Sequence, residues 1–98
     1  MPYARINMAE FRTREEMIKT LSTLKSDIKS VFPEIRAFTA VETGETSILT
    51  ISVYDDKAAA DRALEQRDKH HEDKNLSDIF SHEGFVECMY FDNEKLAL

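Results

Sequence analysis

The stretch Glu45-Thr46-Ser47-Ile48-Leu49-Thr50-Ile51-Ser52-Val53-Tyr54, continued by Asp55-Asp56-Lys57-Ala58-Ala59-Ala60-Asp61-Arg62-Ala63, decides the fold. Its first half is rich in β-branched residues and alternates. Leu49, Ile51 and Val53 point one way and Thr50, Ser52 and Tyr54 the other, so a strand is expected from about Thr46 to Tyr54. An Asp at 55 or 56 can accept from the free N–H groups of a first helical turn. Alanines follow, so a helix starts there. On it Ala60, Leu64, Arg67 and His71 share a face, and the small alanines let that face come close to a sheet. This is the most apolar strand of the chain and the natural centre of a sheet.

Working back from it, Ile35–Glu42 alternates Ile35, Ala37, Thr39 and Val41 with Arg36, Phe38 and Ala40. Glu42-Thr43-Gly44-Glu45 is a turn in which Gly44 is free to take positive φ, so these two strands form a hairpin. Pro33 ends whatever precedes it, because its ring cannot continue a helix. What precedes it is a stripe of Met17, Leu21, Leu24, Ile28 and Val31 at helical spacing. Thr13 with Glu16 three residues on is a capping box. A helix is therefore expected from about Thr13 to Phe32. Before it, Tyr3–Phe11 alternates Ala4, Ile6 and Met8 with Tyr3, Arg5, Asn7, Ala9 and Phe11, which reads as a strand.

Working forward, the second helix becomes highly charged from Arg67 to Lys74, the pattern of a solvated face with Lys69 and Asp73 as an i,i+4 pair. Leu76, Ile79 and Phe80 read as one more short helical piece and His82-Glu83-Gly84 as a loop. Phe85–Phe91 reads as the last strand, with Val86, Cys88 and Tyr90 on one side and Phe85, Glu87, Met89 and Phe91 on the other. The order is βαββαβ. Right-handed crossovers make that a ferredoxin-like α+β fold: a four-stranded antiparallel sheet with two helices on one face. Ile6, Met8, Leu49, Ile51, Val53, Val86 and Cys88 are expected to meet the helices. Tyr3, Phe11, Tyr54, Phe85, Met89 and Phe91 are expected on the other face, with Arg5, Asn7, Thr50, Ser52 and Glu87 among them. A face that apolar is rarely left in water, so a homodimer burying it, a small-molecule pocket, or both are expected.

Composition sets the outer limits. The 98 residues fit one domain spanning 1–98, and a chain this short buries only about 60–65% of its unfolded surface, so association would help it. Lys and Arg number 13 against 19 Asp and Glu, a net charge of −6 that argues against a nucleic-acid partner. No run approaches the roughly 18 apolar residues of a membrane span, and Met1–Ile6 lacks the apolar core of a secretory signal. The single cysteine, Cys88, cannot form an intrachain disulfide and reads as a small core residue, which makes a cytoplasmic setting the default.

Four stretches carry a resemblance over nearly the whole length: Pro2-Tyr3-Ala4-Arg5-Ile6, Phe32-Pro33-Glu34-Ile35-Arg36, Leu49-Thr50-Ile51-Ser52-Val53-Tyr54 and Asp56-Lys57-Ala58-Ala59-Ala60. The chain resembles the dimeric α+β barrel proteins related to the antibiotic-biosynthesis monooxygenases. That resemblance implies two sheets packed face to face across a dimer. Some members are cofactor-free monooxygenases, others degrade haem, and many have no known activity. The haem-degrading members resemble this chain in an Asn on the first strand, where Asn7 stands, and a His late in the second helix region, where His70 or His71 stands. They also use a Trp, and this sequence has none.

Two function classes follow. One is a small-molecule binder or structural homodimer, with a small aromatic molecule as the ligand class. The other is a cofactor-independent monooxygenase, in which Arg5 or Asn7 holds an oxyanion, His71 takes a proton, and Tyr54 completes the catalytic set. Each residue has a structural alternative: Asn7 as a polar group satisfied within the sheet, His71 as a half-buried side chain bonded to a carbonyl. His70 and His71 point about 100° apart on a helix and cannot chelate one ion together. Gly44 and Gly84 are the only glycines, so there is no phosphate loop. No metal or cofactor motif is read.

Overall fold

The computed structural model describes residues 1–70 and 76–92, with the side chains of 67–70 and 76–80 left aside. The elements are β1 (Tyr3–Phe11), α1 (Arg14–Val31), β2 (Ile35–Glu42), β3 (Ser47–Tyr54), α2 (Lys57–His70) and β4 (Leu76–Phe85). The four strands form one antiparallel sheet in the order β2-β3-β1-β4. This is the ferredoxin-like α+β arrangement expected from the strand and helix order.

Helix α1 begins as its sequence requires. The Thr13 side chain accepts from the Glu16 N–H at 3.2 Å, and Glu15 and Glu16 lie against the positive end of the helix dipole. Glu16 Oε2 is buried without a hydrogen-bond partner, so that oxygen does not complete the reciprocal half of the capping box. Asp27 leaves helical geometry at φ −131° and ψ 23°. Just upstream, the Thr23 hydroxyl donates to the Lys19 carbonyl at 3.3 Å and the Ser26 hydroxyl to the Ser22 carbonyl at 3.1 Å, the kind of back-bonding that bends helices. Phe32 closes the helix by donating to the Ile28 carbonyl at 2.8 Å, and Pro33 prevents continuation. In α2, Asp56 is the cap: its Oδ1 accepts from the Ala59 N–H at 2.8 Å, while Asp55 is taken by Arg36 at 2.6 Å.

In the β2–β3 turn, Thr43 and Ser47 are joined both through backbone, at 3.1 Å, and through side chains, at 2.9 Å. Gly44 does not use the positive φ open to it. Its value is close approach, because a Cβ there would sit 2.7 Å from Ser47 Oγ.

Two expectations are corrected. The last strand is Leu76–Phe85, so His82-Glu83-Gly84 is strand and not loop, and Leu76, Ile79 and Phe80 belong to strand and not helix. Phe85 ends the strand, and the expected strand continuing to Phe91 is outside the sheet. An edge strand needs only one ladder of hydrogen bonds, so it tolerates a glycine, several polar residues and the register shift opposite Met8 and Ala9.

The second correction concerns the faces. The helices cover the side carrying Tyr3, Phe11 and Tyr54, not the side carrying Ile6, Met8, Leu49, Ile51 and Val53. Tyr3 and Tyr54 pack with Val31, Phe32, Ile35, Ala59, Ala60 and Ala63; Leu24, Ile28 and Phe38 are partly buried against them. Ala9, Phe11, Met17 and Ile48 form a second cluster, with Leu21 against it. The α1 stripe therefore does face the sheet, with Met17 wholly buried at 0% exposure. Alternation establishes which residues share a face. Strand direction, twist and crossover hand decide which face the helices take, and hydrophobicity alone reads that wrongly here. The face expected to form a dimer contact through Tyr3, Phe11 and Tyr54 is thus consumed inside the protomer.

Candidate functional site

The helix-facing side of the sheet holds two polar groups of different character. Beside the Tyr3–Tyr54 cluster lies a tightly bonded set. Arg5 is buried, at 4% exposure. Register places it between Ser52 on β3 and Glu83 on β4. Its Nε donates to Glu83 Oε2 at 2.8 Å, one amino nitrogen donates to Asp61 Oδ1 at 2.9 Å, and the other to the Ala60 carbonyl. The Tyr3 hydroxyl donates to Glu83 Oε1 at 2.8 Å, and Lys57 reaches Asp61 Oδ2 at 3.1 Å. The Tyr3 ring also meets Phe85 edge-on at 5.1 Å.

The titration behaviour follows from these bonds. Glu83 is held below the usual carboxylate range by the bond from Arg5 and then by that from Tyr3. Asp61 is lowered chiefly by Lys57 and further by Arg5. The Tyr3 phenol is raised, first because it donates to Glu83 and then by burial. Burial works against the charge on Arg5, but Glu83 and Asp61 outweigh it and the guanidinium is held more firmly protonated. These residues lock β1, β4 and the start of α2 together. Arg5, named from sequence as a possible oxyanion holder, has all three guanidinium nitrogens engaged by the protein.

The second group lies between the two hydrophobic clusters. Asn7 pairs in register with Thr50 on β3 and Ser81 on β4, so the three stand in a row across the helix-facing side. The Ser81 hydroxyl donates to Asn7 Oδ1 at 2.7 Å. With its carbonyl oxygen engaged, Asn7 has its Nδ2 protons left as the donors. The ends of this sheet face are closed: Tyr3, Phe11, Ile48 and Tyr54 are all buried. The middle is not, since Asn7 and Thr50 are half-buried and Ser81 exposed. Helix α1 contributes to both clusters, with Met17 and Leu21 at one end and Leu24, Ile28 and Val31 at the other, α2 contributes to the cluster around Tyr3 and Tyr54, and the polar row between the clusters is less fully covered than either end.

Of the residues named from sequence, Asn7 is half-buried in the middle of the face, Arg5 is locked, and Tyr54 is buried in the core at 3% exposure. His71 lies outside the described residues. His82 pairs with Ile6, which puts it on the face away from the helices. Among the described residues no cluster of His, Cys, Asp or Glu has the arrangement to hold a metal ion. Cys88 is exposed and not the core residue expected. Two residues were missed, Ser81 and Glu83, because their segment reads as a short helix and loop. The signal that could have found them is the alternation Ser81, Glu83, Phe85 at period two, the same period as the strand they join.

No family model and no curated protein sequence matches this chain. Solved structures do. The chain superimposes on a dimeric ferredoxin-like protein from an uncultured marine organism with TM-score 0.66 and 15% identity, covering 94% of this chain and 100% of that one. A candidate antibiotic biosynthesis monooxygenase from Chloroflexus aurantiacus matches with TM-score 0.68 and 14% identity over 93% and 98%. SnoaB, a cofactor-independent oxygenase from Streptomyces nogalater, matches with TM-score 0.62 and 16% identity over 95% and 98%. Identities this low establish a shared fold and nothing finer: the chain has the ferredoxin-like α+β fold found in antibiotic-biosynthesis-monooxygenase-like proteins.

Proposed function

We propose that the protein is a cytoplasmic homodimeric α+β barrel that binds a small apolar or aromatic molecule over Asn7, Thr50 and Ser81. The observation that carries the ligand reading is the partly exposed polar row set between two buried apolar clusters. A ligand there would bury apolar surface at both ends and take a hydrogen bond from Asn7 in the middle, the usual composition of a small-molecule site. The dimer reading is supported by the other face. Ile6, Met8, Leu49 and Ile51 are only partly covered there. Val41 beside them is 45% exposed. Two copies packed through this face would remove it from water. The test is a fluorescence titration with 2-naphthol, with sedimentation equilibrium on the same sample. Saturable binding that Asn7→Leu weakens at least about tenfold, on a dimer of 11.3 kDa chains, is expected. A dimer with no saturable binding would leave a structural dimer.

One observation favours a second reading, a cofactor-independent monooxygenase. The Ser81 bond aims the Asn7 amide as a donor, which is what an aromatic oxyanion needs. In that reading His71 takes the phenol proton and Asn7 holds the phenolate. Arg5, next along the same face of β1, and Tyr54, buried with Tyr3, would act only by holding the adjoining sheet in place. One atom of O2 enters the ring as a carbonyl oxygen and the other leaves as water, with the substrate supplying all four electrons. Oxygen uptake with polycyclic phenols should then be lost in Asn7→Ala and weakened in His71→Ala while the dimer persists. Uptake no faster than the uncatalysed rate would end this reading.

A further inference from the structure

Among the described residues two buried side-chain oxygens have no hydrogen-bond partner, Glu16 Oε2 and Gln66 Oε1. Glu16 belongs to the first turn of α1, at the Phe11 end of the sheet. Gln66 belongs to α2 and follows Ala59 and Ala63 at spacings of four and three, so it continues their row along the helix. That row faces the sheet and α1, since Ala59 and Ala63 pack with Tyr3, Tyr54, Val31 and Phe32. A buried carbonyl oxygen left without a donor costs stability, and proteins keep few of them without a use.

The bonds of Arg5 fix the height of Gln66 over the sheet. Arg5 donates to the Ala60 carbonyl and to Asp61, so that turn of α2 lies level with Arg5. Helix α2 starts after Tyr54, which pairs with Tyr3, and β4 starts opposite Phe11, so α2 runs along β1 from Tyr3 toward Phe11. Gln66 is about 8 Å onward from that turn, at about 1.5 Å per helical residue. Asn7 is about 7 Å onward from Arg5, at about 3.3 Å per strand residue. The two therefore stand level, one on the helix and one on the sheet. They also share a side. The Asn7 oxygen is taken by Ser81 on β4, which leaves Nδ2 on the side of β3. Gln66 is on the side of α2 that faces α1, and α1 packs over β3 through Met17 and Ile48. Resting on the small-molecule reading above, we infer that Gln66 is the second polar contact of that site and that it selects a neutral hydroxyl group. A hydroxyl oxygen can accept from Asn7 Nδ2 while its proton is donated to Gln66 Oε1. A ketone or ether can accept from Asn7 but gives Gln66 nothing, and a phenolate sets two acceptors against each other. The ligand class is thus a phenol or alcohol carried on an apolar ring system.

The test compares 2-naphthol with 2-methoxynaphthalene, which keeps the rings and the oxygen and lacks the proton, by fluorescence titration of the full chain. The unaltered protein should bind the naphthol at least about fivefold more tightly. Gln66→Met keeps the length of the side chain without its amide and should bring the two compounds within about twofold, mainly by weakening the naphthol. A preference that survives in Gln66→Met would reflect room for the methyl group and would overturn the inference while leaving the site standing. Equal binding of the two compounds by the unaltered protein would do the same. Saturable binding of neither would overturn the small-molecule reading and this inference with it. One readout needs no ligand. Gln66→Met removes an oxygen that has no partner, so the free protein should melt no lower than the unaltered one. A melting temperature several degrees lower would mean that the amide is bonded within the protein, and would overturn the inference as well.

Discussion

The two faces of this sheet are built from different residues for different tasks. The covered face carries aromatic rings and polar groups: Tyr3, Phe11, Tyr54, Arg5, Asn7 and Ser81. The open face carries aliphatic ones: Ile6, Met8, Leu49, Ile51 and Val53. The more uniformly apolar face is the one without helices. The difference is physical. The covered face must accept close-packed alanines from α2, a buried arginine and a polar row, so it needs rings that fill space and donors that satisfy charge. The open face, as proposed, meets only a copy of itself, and a flat aliphatic surface suits a self-complementary contact.

The sharpest way to break that contrast is one charge on each side. Ile51→Glu puts a carboxylate in the middle of the open face. The expected outcome is a dissociation constant raised at least about 100-fold, with helical content of the protomer retained. If sedimentation still gives a dimer, that face is not the contact. Met17→Ala works on the covered side, where Met17 is wholly buried. It should cost about 2–5 kcal/mol in a denaturant melt at a protein concentration that keeps the association state unchanged. A cost below about 0.5 kcal/mol would mean that α1 does not pack as described.

Much of this was legible in the amino-acid order. β1 and β2 have the bounds that alternation predicts, and α1 starts and stops where Thr13 and Pro33 require. Two features were not legible, and both concern relations between elements. Tyr3, Phe11 and Tyr54 are correctly grouped by alternation, but which side the helices take is settled by twist and crossover hand. Leu76–Phe85 is a strand because β1 offers it a ladder, not because its own residues prefer one; Ser77, Asp78, His82 and Gly84 have little strand character. The site was half legible for the same reason. Asn7 stands on a well-read strand, while its partner Ser81 stands on the strand that only the tertiary structure creates.

A smaller effect tests the charged end of the covered face. Glu83 is bound by Arg5 and Tyr3 and its folded pKa lies below its ordinary value of 4.5. A carboxyl lowered on folding stabilises the protein above its unfolded pKa, and that stabilisation is lost as pH falls through the folded value. Wild-type stability should therefore fall from about pH 4.5 downward, and Glu83→Gln should flatten that slope. Because the Glu83 side chain is 39% exposed, solvent screening limits the difference to about 1 kcal/mol at pH 7. Equal acid slopes in the two proteins would mean that the Arg5–Glu83 pair is already broken in solution.

The smallest expected effect concerns how the cover is held on. Both helices begin with a side-chain cap, but they lean on the sheet differently. The Thr13 cap is exposed and α1 is fastened one turn on by the wholly buried Met17, whereas the Asp56 cap is followed one turn on only by the small Ala59 and Ala60, and then by Ala63, against Tyr3 and Tyr54. Alanines bury little area each, so α2 depends more on its first turn being formed. Each cap lost to Ala should cost about 1 kcal/mol on its own. If cap and contact are coupled in α2, Asp56→Ala should also speed hydrogen exchange at the Ala59, Ala60 and Ala63 amides, while Thr13→Ala leaves Leu21 and Leu24 protected. The reverse ranking, with α1 loosening along its length and α2 unaffected, would place the weak edge of the cover on α1 instead.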